Sequence, residues 1–597
     1  LLIYGADIPY DEEITLDRFV DIVDDSSWDE FMPNGVTKAK FREFQKYYDE
    51  EVFIAAGRRI RNIAREADTL EPTERVKKIA GLFSYFKNPD KETVLTPWRV
   101  VNMHMSDCLG GWCFYDETFE EENKLDEPRF VDRGKVTKDV FGNPDTQILE
   151  INSKTGLYPL YVTYSAYRRK LKDHEGEELS TPDKQKLWLQ TVDENIFVIC
   201  KTPMAKTITK RTLVGYAEAD INAHYFDDLI NTMEHKPQMF VKRVLKQSYW
   251  KKGNGEMKFD AIVGNPPYQS TTNGGIDNGK AAKQAKPVFQ LFVQQAKHLN
   301  PSYISMIVPA RWYNGGMNLD EFRDEMVHDK HLVKLFDFYN AKECFPTVEI
   351  AGGLCYFLID KNTKSECEIT NIVSNKRDTL KRSLDEFSIF IRNNQSVPIV
   401  KKVLAKTDHF MDEMVSPLDT FGIPSKEKGH DNKHEGDIEL LHSVGFNNQG
   451  FSYFERSKVK KNTELIDKYK IKVSILIPQG GETGVQPENG YRSISGPMIL
   501  KPGQIDTFSY LNVAFFDTQK EAENFLVYLT GKFSRYMMRT TFSSVHLSKS
   551  NFVFVPLLDF NELWTDEKLY AYYDLTDDEI KLIEETMRPI NIDAPES

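Results

Sequence analysis

Cysteine is scarce in this chain. Six residues in 597, with no C-x-x-C pair among them, argue against both a disulfide framework and a cysteine-held structural zinc site. Cys108 and Cys113 read as ordinary buried thiols. Long hydrophobic runs are missing too. No stretch approaches the roughly 18 apolar residues that span a bilayer, and no basic-then-apolar leader opens the chain, so membrane and secretory classes are excluded and the cytoplasm is the expected compartment. There is no Walker A loop and no nuclease cluster, so the residues present provide for neither nucleotide-driven translocation nor DNA cleavage. An excess of positive charge is also absent, the formal net charge being -14.

That charge is unevenly spread. Residues 1–90 carry 19 acidic and 13 basic side chains and residues 559–597 carry 12 and 3, which leaves the intervening chain at +1. Within it, Arg456, Lys458, Lys460, Lys461, Lys468, Lys470 and Lys472 outnumber Glu455, Glu464 and Asp467 and are interleaved with Phe454 and Tyr469. Such a segment can track phosphates, with Lys458, Lys460 and Lys461 as candidate DNA-backbone contacts, or it can be a solvated charged face.

A chain of 597 residues and 69.1 kDa is too long for one core. Helical spacing over Lys38–Ala56, Arg58–Ala67 and Glu71–Phe86 predicts a helical region over 1–90. Between Gln147 and Ile359, short apolar runs (147–151, 196–199, 259–263, 304–308, 332–338) alternate with helical stretches. That alternation predicts an α/β domain over 91–360, a doubly wound parallel sheet closed by a strand in Ala351–Ile359. Residues 361–597 read as a separate α+β domain with an acidic helical tail, including helices over Gln519–Met538 and Asp577–Met587. The chain opens on an apolar run at Leu1 rather than on methionine, which reads as a piece of a longer polypeptide.

The most informative stretch is Phe259-Asp-Ala-Ile-Val-Gly-Asn-Pro-Pro-Tyr268, an apolar strand running into Asn265-Pro266-Pro267-Tyr268. A given tetrapeptide of this kind arises by chance in well under about one in a hundred chains of this length. Its chemistry suits an amine whose lone pair is delocalised. The Asn265 carboxamide oxygen can accept one amine hydrogen and the Pro266 carbonyl the other, which draws the nitrogen toward a tetrahedral, nucleophilic geometry without a general base. Two prolines lock φ and stiffen the loop. Tyr268 offers a ring face for a planar base.

The tetrapeptide resembles the catalytic motif of amino-methylating, S-adenosylmethionine-dependent methyltransferases, and the order of the flanking segments resembles the gamma-class adenine-N6 DNA methyltransferases of restriction-modification systems. Val94-Leu-Thr96-Pro97 is similar to the leading motif, which sits over the cofactor carboxylate at a helix start. Glu150-Ile-Asn152-Ser153-Lys-Thr-Gly156 occupies the place of the first motif, with only Gly156 matching its glycines. Asn195–Ala205 resembles the second motif, but Cys200 stands where that family has its ribose-binding acid. Phe226-Asp227-Asp228-Leu229 resembles the third, with Asp227 as the contact to the cofactor adenine. Pro287–Phe292, Ile304–Pro309 and Cys344–Val348 follow in the family's order, and Phe345 is a candidate second wall of the base pocket.

The resemblance implies S-adenosyl-L-methionine as cofactor, double-stranded DNA as partner and no metal. It further implies a prokaryotic cytoplasmic setting, a target-recognition role for 361–597, a loop over the site at Ser270–Gly279, and possible upstream nuclease and helicase domains. Three other readings remain open here: a protein-glutamine N-methyltransferase, which would be more compact; a cytosine-N4 enzyme, which commonly has Ser in place of Asn265; and a non-catalytic DNA-recognition subunit, motivated by Cys200 and the atypical loop after Glu150.

Overall fold

The computed structural model describes residues 1–88, 94–226, 228–270, 286–316, 318–348, 350, 352–445, 448–476, 486–542 and 546–590. They form two compact units, Leu1–Leu384 and Asp385–Ser597.

In the first unit, nine strands make one sheet among the described residues: β1 (Ile148–Ser153), β2 (Ile196–Cys200), β3 (Asn222–Tyr225), β4 (Ala261–Gly264), β5 (Tyr303–Pro309), β6 (Leu332–Phe338), β7 (Leu354–Asp360), β8 (Cys367–Val373) and β9 (Lys376–Arg382). Their order is β9-β8-β6-β7-β5-β4-β1-β2-β3. β3, β2, β1, β4 and β5 are mutually parallel. β1 to β3 wind one way and β4 to β5 the other. Right-handed crossovers therefore place the connecting helices of the two halves on opposite faces, and the order reverses between β1 and β4. The sheet is the doubly wound one that the alternating runs predict. Its central strands are buried along their whole length, as a sheet covered on both faces requires.

Three local details differ from the pattern-based expectation. β7 runs antiparallel and is inserted between β5 and β6 rather than closing an edge. β8 and β9 carry the sheet past residue 360, because β8 pairs in parallel with β6. The continuous helix expected over Lys38–Ala56 is interrupted: a helix over Lys38–Phe44 ends, and another restarts at Glu50 because the Asp49 carboxylate caps the amides of Glu51 and Val52.

The N-terminal helices are packed on the sheet domain rather than separate from it. In helix α1 (Asp25–Phe31) the Ser27 hydroxyl oxygen accepts from the Met204 amide (3.0 Å), at the start of helix Pro203–Val214. Arg75 donates to the Thr212 and Arg211 carbonyls of the same helix (2.9 and 3.3 Å).

The second unit holds two three-stranded sheets among the described residues. Its C-terminal helical stretch breaks at Gly531, where the Asp566 carboxylate accepts from the amides of Lys532 and Phe533 (2.8 and 3.0 Å) and caps a new helix.

Candidate active site

The site lies at the carboxyl ends of β1 and β4, the switch point where an open sheet leaves a crevice. Glu150 pairs with Val263 in the parallel register, so each strand delivers its next residues to the same edge. The two strands approach closely there. A Cβ on Gly264, which has φ +155°, would lie 2.8 Å from the Ile151 carbonyl, so only glycine fits directly before Asn265.

Asn265 is held from two sides. Its Nδ2 donates to the Thr96 hydroxyl (2.9 Å), and its backbone carbonyl accepts from Asn152 Nδ2 (3.0 Å). Asn152 reaches it through a bulge: its φ is +75°, and the β1–β2 register shifts between Ile151 and Ser153. Bulges re-aim side chains, and asparagine tolerates the left-handed region better than most residues. The consequence is that the Asn265 Oδ1 is buried with no hydrogen-bond partner, aimed by its own amide group being tied to Thr96. Thr96 and Pro97 immediately precede the buried helix Trp98–Cys108, with Pro97 as its N-cap.

Glu150 Oε2 and Asn152 Oδ1 are likewise buried and unpartnered. Each such orphan costs about 1–3 kcal/mol unless a ligand supplies a donor. Burial pushes the Glu150 carboxyl up to about 8, against a lowering contribution from Ser153, so the group is largely protonated at neutral pH. Three buried oxygens without partners thus stand on adjacent loops at the switch point, where the polar groups of a ligand could meet them. The Ser153 hydroxyl stands between Glu150 and Thr209, paired with the Thr209 hydroxyl (2.9 Å). Gly156, at φ +76°, caps helix Leu157–Lys172, where a Cβ would sit 3.0–3.1 Å from Thr212 and Thr209.

Cys200, at the end of β2, is fully buried. A carboxylate nevertheless stands beside it. Glu30 from α1 is buried, and its Oε2 accepts from the Thr202 hydroxyl (2.5 Å). Burial pushes the Cys200 thiol up, and the next contributions come from Glu150 and Glu30. Glu30 was invisible to motif reading because it precedes Cys200 by 170 residues and belongs to a helix outside the motif order.

Tyr268 and Phe345 lie in one apolar cluster, 9% and 1% exposed, and burial keeps the Tyr268 hydroxyl protonated. The backbone after the tetrapeptide is pinned to 286–288, with Val288 N donating to the Tyr268 carbonyl (3.2 Å) and Ser270 N to that of Lys286 (2.9 Å). Asp227 and the loop segment 271–285 lie outside the described residues.

In the second unit the basic segment divides. Lys470 and Lys472 are fully buried, Lys470 donating to the Ile466 and Lys468 carbonyls (2.8 and 2.7 Å), and burial brings its ammonium down to about 8. Arg456 forms a two-pronged pair with Asp467 (2.9 and 2.5 Å). Lys458 and Lys461 are exposed and face Glu455 and Asp419 (2.9 and 2.7 Å), and Lys460 is exposed.

Fold and site together are a doubly wound α/β sheet with buried, unpartnered polar atoms at its switch point. Residues 194–345 match the model of the Eco57I restriction-modification methylase family. An uncharacterized adenine-specific methylase of Mycoplasma pneumoniae is 37% identical over 164 residues, 26% of this chain and 37% of that protein. The chain thus spans little more than a third of that relative's length. Among solved structures, the type IIL restriction-modification enzyme MmeI in complex with DNA aligns with 74% of this chain and 69% of its own (TM-score 0.40, 11% identity). The DrdV–DNA complex aligns with 94% and 64% (TM-score 0.41, 10% identity), and the type IIG endonuclease BpuSI with 98% and 76% (TM-score 0.36, 9% identity). No helix among the described residues is long and apolar enough to cross a membrane.

Proposed function

We propose that this chain transfers a methyl group from S-adenosylmethionine to the N6 amine of an adenine turned out of double-stranded DNA, as the modification activity of a restriction-modification system in the prokaryotic cytoplasm. The observation that carries the reading is the Asn265 carboxamide, tied through its nitrogen to Thr96 so that its oxygen stands buried and unpartnered. When bound, the cofactor supplies a methyl group on a sulfonium. Asn265 Oδ1 and the Pro266 carbonyl accept the two hydrogens of the target amine and localise its lone pair. Tyr268 and Phe345 wall the base, and stacking between apolar surfaces holds an extruded base in place.

Glu150, Asn152, Thr96-Pro97 and Gly156 would hold the amino-acid end of the cofactor, Ser153 would shape their loop, and Asp227 would contact the cofactor adenine. Glu30 takes the ribose-holding role that Cys200 cannot fill. A subunit that only recognises DNA would leave the buried acceptors at Glu150, Asn152 and Asn265 as a cost with no return. The direct test is to incubate the chain with DNA and methyl-labelled cofactor and digest the DNA to nucleosides. Label in N6-methyl-2′-deoxyadenosine supports the reading. Label in protein, in N4-methyl-2′-deoxycytidine or nowhere rejects it.

Glu150 makes cofactor binding proton-coupled. Its folded value of about 8 lies above the unfolded carboxylate value, so its contribution to apo stability is complete below about pH 4.5 and is lost as pH rises through 8. A cationic ammonium beside it favours the ionised form. Binding near pH 7 should therefore release a proton, and the release should shrink as pH rises past about 8. Calorimetry in buffers of differing ionisation enthalpy measures this, and Glu150→Gln should release none.

The second unit is proposed to read the target sequence, with Lys458, Lys460 and Lys461 on phosphates. Exposed ion pairs are worth little, so the carboxylates facing Lys458 and Lys461 do not prevent an exchange for phosphate. Replacing all three with Ala should weaken binding to every DNA sequence alike and reduce the salt slope by about 0.9 per lost contact, with selectivity retained. Isotherms at several salt concentrations decide it. An unchanged slope would make the segment a solvated surface.

A further inference from the structure

Strand Asp437–Gly445 of the second unit begins directly after a turn carrying two histidines, His430 and His434. The turn is anchored at its start. His430 exchanges both backbone hydrogen bonds with Tyr453 on strand Asn448–Glu455 (2.9 Å each). Gly429 before it has φ +61°, and a Cβ there would lie 2.3 Å from the Tyr453 carbonyl. The turn is closed at its other end by Asp437, whose carboxylate accepts from the His434 amide (2.7 Å) and is only 2% exposed.

These constraints bring three ligand-type atoms together. His430 Nε2 lies 2.7 Å from Asp437 Oδ2, His434 Nδ1 lies 3.4 Å from the same oxygen, and the two imidazole nitrogens are 3.1 Å apart. The rings are 4.7 Å apart and tilted by 35°, so neither blocks the other's nitrogen. A tetrahedral ion with bonds of about 2.0–2.1 Å separates its ligand atoms by roughly 3.3 Å, which is close to this triangle. Two imidazole nitrogens and a carboxylate oxygen converge on one point, and a cation bound there would take a lone pair from each in place of the shared hydrogens.

The geometry points to a divalent transition-metal site, best suited to zinc, formed by His430, His434 and Asp437. Two imidazoles and one carboxylate are borderline-soft N/O ligands, which suit zinc and its neighbours and not magnesium or calcium, whose sites are built from oxygens. Asp437 is the buried member and His434 the exposed one, so the fourth position faces solvent and would take water. The ion would fasten the turn to the start of its strand from side chains four and three residues apart. All three ligands belong to the second unit.

The test uses the full chain, stripped with chelator and dialysed, with Zn2+ alone and Co2+ alone as probes. One equivalent of Zn2+ should be retained. Co2+ should give the intense visible absorption of a tetrahedral site, and Zn2+ should raise the melting temperature of the chain. His434→Ala and His430→Gln should each weaken Zn2+ binding by at least about tenfold, and the double variant should abolish the cobalt spectrum. His409→Ala, a change to an exposed histidine elsewhere in the unit, should alter none of these. Each variant is checked by circular dichroism, and one that fails to fold is replaced by Asp437→Asn. Zinc uptake that is absent in the parent chain, or undiminished in the double variant, would overturn the site.

Discussion

Asn265→Ala is expected to lower methyl transfer by about 10²–10³-fold, equivalent to roughly 2.7–4 kcal/mol of transition-state stabilisation, while leaving the cofactor dissociation constant nearly unchanged. The separation of effects follows from where the atoms point. Asn265 spends its Nδ2 on Thr96 and its backbone carbonyl on Asn152, and only its Oδ1 remains for a ligand. Losing that oxygen removes an acceptor whose value appears as charge develops on the target amine. Thr96→Val should produce a smaller loss, about tenfold, because it leaves the oxygen in place but frees the amide to rotate. Single-turnover transfer with pre-bound cofactor, alongside calorimetric cofactor binding, checks both. Equal losses of binding and transfer in Asn265→Ala would show that the side chain holds the cofactor instead.

Asp107→Ala should destabilise the first unit by about 3–5 kcal/mol. Asp107 sits near the end of helix Trp98–Cys108 with its side chain 1% exposed, and its carboxylate accepts four hydrogen bonds from three residues. Oδ1 receives Arg133 Nη2 (3.0 Å) and Arg377 Nη1 (2.9 Å); Oδ2 receives Arg377 Nη2 (2.9 Å) and the Tyr356 hydroxyl (2.6 Å). Tyr356 lies on β7 and Arg377 on β9, so one carboxylate fastens the leading helix to the inserted strand and to the sheet extension. Removing it strands two cations and a buried hydroxyl. Urea unfolding followed by tryptophan fluorescence should show a lower midpoint with an unchanged slope. Asp107→Ala combined with Arg377→Ala should cost less than the sum, since the second change removes a charge the first left uncompensated. Full additivity would show the pair to be uncoupled.

Much of the candidate site's geometry is local and was therefore legible in the chain. Strand β4 running into Asn265-Pro266-Pro267-Tyr268 needs only an apolar run, a glycine and two locked φ angles, all within ten residues. The alternation of apolar runs with helical stretches marked the doubly wound sheet for the same reason, since period and burial are properties of consecutive residues. β7 was legible as a strand but not as an antiparallel one, because direction is set by which neighbours it pairs with.

Contacts between distant segments were decided by packing alone. The Thr96–Asn265 bond spans 169 residues, Glu30 reaches Thr202 across 172, and Asp107 meets Arg377 across 270. No local spacing encodes such approaches. The basic segment shows the limit most plainly: Lys458, Lys460, Lys461, Lys470 and Lys472 are chemically alike in sequence, yet the first three face solvent and the last two are buried against carbonyl groups. Charge pattern along a chain reports which groups exist. Only the tertiary fold determines which of them water, or a phosphate, can reach.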